Sequence, residues 1–249
     1  MGERISGDKV NIEYRDVSKF FDDRSANANY KSKYNYVLFQ DDHPELAEQR
    51  DTSEKNKIGK LLSIKNDMRI LDIGCGIGRW GEYFLRQNVT YVGIDGSAGM
   101  IQLAKENLKS SPTGTYHLYT GYAQNTAELL KQHKDAALFD IILVNGVFMY
   151  LNDDDLNRTL EDIAKLAAPQ CQLYLKESMG FEKRLTLKDI HSDALKQEYS
   201  AIYRSIEEYR RLFDKYFGST FTTAKDEPLF DEGMRNRKET LDYYFILKR

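Results

Sequence analysis

The segment Ile70-Leu71-Asp72-Ile73-Gly74-Cys75-Gly76-Ile77-Gly78-Arg79-Trp80 is an apolar run broken by an acid, then a loop with three glycines, then a helix start. Glycine tolerates positive φ and lets backbone come close to a ligand, while the first turn of a helix offers N–H groups that have no internal partner. The loop is therefore a candidate ligand cradle. A dinucleotide fingerprint requires glycine or alanine three residues after Gly76, where this chain has Arg79, so an NAD oxidoreductase ranks low. Asp72 would repel a pyrophosphate and suits a ligand with a positively charged amino group. About 20 residues past the loop, Tyr91-Val92-Gly93-Ile94-Asp95-Gly96-Ser97 is a second apolar run closed by an acid, where a carboxylate accepts both hydroxyls of a ribose. Asp95 is that carboxylate, Gly96 sits beside it, and Ser97 is free to cap the next helix. Met100 and Ile101 follow where the face of a base requires apolar contact.

These residues need a parallel sheet beneath them. From Met68 onward short apolar runs alternate with helical ones, the pattern of βαβ units buried on both faces. Strands are predicted at Met68 to Ile73, Thr90 to Ile94, Tyr116 to Tyr119, Phe139 to Val144 and Gln172 to Lys176, and helices at Trp80 to Gln87, Ala98 to Leu108, Thr126 to His133 and Asp154 to Ala168. Ser219 to Ala224 and Leu241 to Leu247 read as a closing antiparallel pair. Before that pair, Leu195, Tyr199, Ile202, Tyr203, Ile206, Tyr209, Leu212, Phe213 and Tyr216 recur mostly at spacings of three and four, which predicts one long helix over Ala194 to Phe217. Upstream, Asp42-His43-Pro44-Glu45 starts a helix that runs to about Leu62 and is polar through Arg50, Asp51 and Glu54. The expected organisation is a single α/β domain with a doubly wound, mostly parallel seven-stranded sheet. Residues 1–64 form an aromatic N-terminal cap and helix, 65–177 the binding core, 178–218 a helical insert acting as a lid, and 219–249 the closing strands.

Composition narrows the partners. The chain has 249 residues, 41% hydrophobic and 30% charged with only four prolines, which excludes a low-complexity or disordered protein. A net charge of -3 provides no positive field for a phosphate backbone, so duplex nucleic acid is not an expected partner. No apolar run approaches the roughly 20 residues of a membrane span, and the N-terminus has no signal-peptide core, which points to a cytoplasmic protein. Two cysteines and four histidines show no metal-ligand spacing.

Asp72-Ile73-Gly74-Cys75-Gly76-Ile77-Gly78 followed by Asp95 resembles the class I S-adenosylmethionine-dependent methyltransferases, over Met68 to about Glu177. The resemblance implies S-adenosylmethionine as cofactor, with the glycine loop, including Gly74, Cys75, Gly76 and Gly78, under its methionine and ribose parts and Asp72 at its amino group. It also places the adenine at Ala123 backbone or the Gln124 side chain, Tyr122 standing where the family usually has an acid. Asn145, at the end of the fourth strand of the family's fold, faces the methionine portion, and Tyr150 borders the transferring methyl. Arg50 and Arg79 compete for the donor carboxylate.

The stretch from Phe148-Met149-Tyr150-Leu151 to Leu175-Lys176-Glu177-Ser178 is more narrowly similar to methyltransferases of small phosphobases. That implies a small-molecule acceptor, with Glu177 near it and Arg184, Tyr203 and Arg204 addressing an anionic, phosphate-bearing or sugar group. Tyr34 and Tyr36 are expected to close over the site, and His191 in the insert is a candidate general base. A non-catalytic module that binds S-adenosylmethionine or a nucleotide is the alternative reading.

Overall fold

In a computed structural model the residues described are 2–110, 113–192, 197–231, 234 and 239–249. The chain opens with β1 (Glu3–Ser6), α1 (Tyr14–Ser25), α2 (Asn35–Leu38) and α3 (Pro44–Ile58). The alternation follows: β2 (Arg69–Ile73), α4 (Arg79–Phe84), β3 (Thr90–Asp95), α5 (Ala98–Leu108), β4 (Thr115–Thr120), α6 (Thr126–Gln132), β5 (Phe139–Asn145), α7 (Asp153–Leu166) and β6 (Ala167–Gly180). It closes with β7 (Leu185–Ser192), β8 (Gln197–Tyr203), α8 (Ile206–Phe217), β9 (Thr222–Pro228) and β10 (Thr240–Lys248).

Seven strands make the main sheet in the order β4-β3-β2-β5-β6-β10-β9. The first five are parallel, and β10 runs antiparallel to both β6 and β9. The central strands β2, β3 and β5 are covered on both faces, which is why they read as continuous apolar runs. Along β5 the period of two is kept: Ile141 and Leu143 pack with Trp80, Tyr91 and Tyr174 on one face. Ile142 and Val144 pack with Leu160 of α7 and Phe213 of α8 on the other. The chain order reverses between β2 and β5, and ligands of such sheets bind in the crevice beyond the carboxyl ends of the strands there.

The insert differs from the sequence expectation. Residues 194–196 of the predicted helix lie outside the described residues, but Gln197–Tyr203 is strand β8, and helix begins only at Ile206. β8 pairs antiparallel with β7, and β7 with β1, so the first residues of the chain join the insert in a second, three-stranded sheet. The helix that remains, α8, is part of the main core: Tyr209, Phe213 and Phe217 are buried there, and Phe213 meets Phe245 of β10 edge-on at 5.0 Å. It is not a cover over the crevice.

The cap is pinned by one buried cation. Arg24, at the end of α1, donates to both Asp41 carboxylate oxygens at 2.7 and 3.0 Å and to the Asn35 and Tyr36 carbonyls. That bidentate pair with two added carbonyls is the geometry in which a buried guanidinium is fully satisfied. Phe20 of α1 then packs with Met149, Tyr150, Tyr199 and Tyr203, joining cap, β8 and the turn after β5 in one aromatic cluster.

Candidate active site

A cavity of about 220 Å³ opens where β2 and β5 end. Its floor is the loop from Gly74 to Gly76, both at positive φ, +75° and +52°. A Cβ on Gly74 would come within 2.1 Å of the Val147 side chain, which follows β5, and one on Gly76 within 2.7 Å of Val37 of α2. No L side chain fits either position without moving a wall. Gly78, at φ +75°, instead starts α4 and faces Leu108 and Ala104 of α5, away from the cavity.

Asp95 ends β3 with its carboxylate split between two backbone donors: Gly76 N–H to one oxygen at 2.8 Å and Ser97 N–H to the other at 2.9 Å. A carboxylate oxygen has two accepting positions, so each keeps one for a ligand hydroxyl. Ser97 also caps α5 through the Met100 N–H at 3.3 Å. Asp72 is buried and accepts from the Tyr91 hydroxyl at 2.6 Å. Burial raises its carboxyl to about 6, against the opposing effect of that hydrogen bond. Cys75 also lines the cavity, and burial pushes its thiol well up, which makes it an inert wall rather than a nucleophile.

Several buried polar atoms on the cavity wall have no hydrogen-bond partner among the described residues: both amide atoms of Asn145, Oε1 of Gln124 and Nη1 of Arg50. Proteins seldom bury polar atoms unpaired, so these four mark where a polar ligand completes the fold. Arg79 is different. Its guanidinium is buried and held by Asp51 at 3.0 Å and by Glu54, the acids of the polar helix α3. Tyr122 stands at the rim 51% exposed, its ring against Gly96.

A family model described as a methyltransferase domain matches residues 71–173, which contain the glycine loop, Asp95, Gln124 and Asn145. The match covers less than half of the chain, and solved structures that share its fold include S-adenosylmethionine-dependent methyltransferases. A ubiquinone biosynthesis O-methyltransferase of Rhodopseudomonas palustris (strain BisB5) is 36% identical over 94 residues, 38% of this chain and 34% of that one. The chain thus matches about a third of that relative's length. Phosphoethanolamine N-methyltransferase 1 of Haemonchus contortus shares the fold with TM-score 0.69 at 18% identity, over 96% of this chain and 50% of that one. A Leishmania major S-adenosylmethionine-dependent methyltransferase does so with TM-score 0.65 at 18% identity, over 94% and 82%.

Arg50, Asp72, Gly74, Cys75, Gly76, Arg79, Asp95, Gly96, Met100, Ala123, Gln124, Asn145 and Tyr150 all line this cavity. Other expected residues do not. The Glu177 carboxylate turns to the backbone and accepts from the N–H groups of Val147, Phe148 and Met149 at 2.9, 2.9 and 3.2 Å, which shapes the turn carrying Tyr150. Burial raises Glu177 to about 7. Arg184 and Arg204 converge on Asp153, and Arg204 also donates to the Phe148 and Leu151 carbonyls at 2.8 and 2.7 Å. They are ties of the framework, not free cations for an acceptor. Burial would raise the Asp153 carboxyl, but the Arg184 hydrogen bond and the Arg204 charge outweigh it and hold it well below the usual range.

Tyr203 does not line the cavity; it donates to the Tyr199 hydroxyl at 3.1 Å behind the wall. Tyr34 lies against Lys33 and Lys55, and Tyr36 donates to the Asn27 carbonyl; neither lines the cavity. His191 is largely exposed beside Glu198 on the second sheet, also outside the cavity. Sequence reading missed Phe21, Phe39, Tyr199, Lys176, Ser178 and Asp242, all on the wall. Asp242 gathers Arg50, Ser178 Oγ at 2.8 Å and Lys176 at 3.4 Å. Lys176 and Ser178 alternate with Glu177 along β6 and so face the opposite side of the strand, a signal of period two that was available.

Proposed function

We propose that this protein is an S-adenosylmethionine-dependent methyltransferase acting on a small-molecule acceptor. The observation that carries the reading is the set of unpaired buried atoms of Asn145, Gln124 and Arg50 around a loop that only glycine can form. Asp95, with one accepting position left on each oxygen, is suited to the ribose hydroxyls. Asp72 suits the amino group, since a cation beside it offsets the cost of ionising a buried carboxyl. The unpaired Nη1 of Arg50 suits the carboxylate, and Arg79, already matched by two acids, does not compete for it. Gln124 and Ala123 lie where an adenine edge would be read, with Met100 as apolar wall.

When bound, the cofactor supplies a methyl group on a sulfonium, an electrophile that needs alignment more than covalent help. The chain's own contribution is to hold the acceptor in line and keep water out. Phe21, Phe39, Tyr150 and Tyr199 form a dry aromatic wall suited to both. Thermal-shift titration is the test. S-adenosylhomocysteine should stabilise the protein by about 2.7 kcal/mol at a hundredfold excess over its Kd, and NAD should not. Stabilisation by NAD alone would overturn the reading.

A further inference from the structure

The acceptor side of the cavity is aromatic in an unusual way. Phe21 of α1 meets Tyr150 edge-on at 5.1 Å and lies 6.4 Å from Phe39, while Tyr150 meets Tyr199 of β8 at 6.2 Å and 89°. The Tyr150 and Tyr199 hydroxyls are 3.1 Å apart. Four rings from four separate elements therefore share one wall of the cavity. Rings of this cluster already take a cation: the Arg24 guanidinium lies 4.8 Å from the Phe39 centroid and 5.7 Å from that of Phe20.

Among the described residues, no group on the wall is poised to act as a base. Among the described residues the cavity's carboxylates are Glu54, Asp72, Asp95 and Asp242. Glu54 binds Arg79 and the Tyr174 hydroxyl, and Asp72 binds Tyr91. Asp95 binds two backbone N–H groups, and Asp242 binds Arg50, Lys176 and Ser178. The Tyr14 hydroxyl donates to Asp155 and accepts from the Asn152 N–H, and burial raises its own ionisation well above the usual range. Among the described residues no histidine lines the cavity. A hydroxyl acceptor needs its proton removed as it attacks; an amine that has shed its ammonium proton beforehand attacks with its lone pair and needs no base in the step.

We infer that the acceptor is an amine, held in the compartment walled by Phe21, Phe39, Tyr150 and Tyr199. The inference rests on the donor reading above and names the substrate class of the same site. The amine loses its ammonium proton to water before reacting. Its nitrogen lone pair then forms the new bond to the methyl carbon as the carbon–sulfur bond breaks, with that electron pair going to sulfur. Positive charge thus moves onto nitrogen, and no protein base takes a proton in the step. Ring faces stabilise a cation in a desolvated site, so the wall favours the charge where it develops.

The test uses the whole protein saturated with S-adenosylhomocysteine, whose binding is measured first. Calorimetry then compares choline, a trimethylammonium that mimics a methylated amine, with 3,3-dimethylbutan-1-ol, its uncharged isostere. Choline is expected to bind at least about tenfold more tightly, and Phe21→Leu and Tyr150→Leu should each erase most of that preference. Phe21 is only partly buried, so that variant keeps the test alive if Tyr150→Leu does not fold. Equal affinity, no binding of either probe, or a preference that survives Phe21→Leu would overturn the amine assignment while leaving the donor reading intact. Failure of S-adenosylhomocysteine to bind would overturn the donor reading and this inference with it.

Discussion

One wall of the cavity comes from a single continuous stretch, Asp72 to Met100, in which β2, the glycine loop, α4, β3 and the start of α5 succeed one another. The opposite wall brings together Phe21 from α1, Phe39 after α2, Tyr150 after β5 and Tyr199 from β8, segments that are far apart in sequence. The first wall works through backbone: glycines at positive φ and a carboxylate that receives main-chain N–H groups. The second works through side chains alone. A site made of backbone tolerates little change, because each position has one allowed geometry. A site made of aromatic side chains on a supporting sheet can change its guest by changing rings.

The comparison breaks first at the arginines, which would belong to the acceptor wall if they read an anion. As ties of the framework, they should matter for folding. Arg204→Met leaves the Phe148 and Leu151 carbonyls without their donor and Asp153 with one cation fewer, and should cost on the order of 3 to 5 kcal/mol in urea unfolding. An unchanged stability would return Arg204 to the list of acceptor contacts.

Legibility follows the same division. The parallel strands, the glycine loop and Asp95 could be read because they are local, and the crevice at the order reversal follows from the sheet. The insert could not, because β8 is buried on both faces from Tyr199 to Tyr203. Its apolar residues lose the alternation of a strand and happen to continue the helical phase of α8. The break was nevertheless written at Ser205-Ile206-Glu207-Glu208, a capping box in which Ser205 accepts the Glu208 N–H and Glu208 accepts the Ser205 N–H. Strand β1, only four residues long, has no meaning until β7 lies beside it. Arg184 and Arg204 misled because sequence shows a cation but not the Asp153 that neutralises it.

Glu177 sharpens the contrast through pH. Its folded value, about 7, lies above the ordinary 4.5, so the folded chain holds a proton that the unfolded chain releases. Its contribution is complete below pH 4.5 and is lost as pH rises through 7, about 3 kcal/mol in all at 1.36 kcal/mol per unit. Stability measured from pH 4.5 to 8 should fall by that amount relative to Glu177→Gln, where the component disappears. A smaller effect is expected on the donor wall. Asp72, at about 6, must be ionised to face an amino group, so affinity for S-adenosylhomocysteine should rise about tenfold from pH 5 to 7. The rise should flatten in Asp72→Asn.

The division of labour itself is tested by calorimetric titration of S-adenosylhomocysteine into Asp95→Ala and Phe21→Leu. Removing charge-assisted bonds worth about 1.5 to 3 kcal/mol should weaken binding at least about tenfold in Asp95→Ala, while Phe21→Leu should bind within about twofold of the parent. Equal losses in the two variants, or undiminished affinity in a folded Asp95→Ala, would contradict a donor site that depends on Asp95 and not on the aromatic wall.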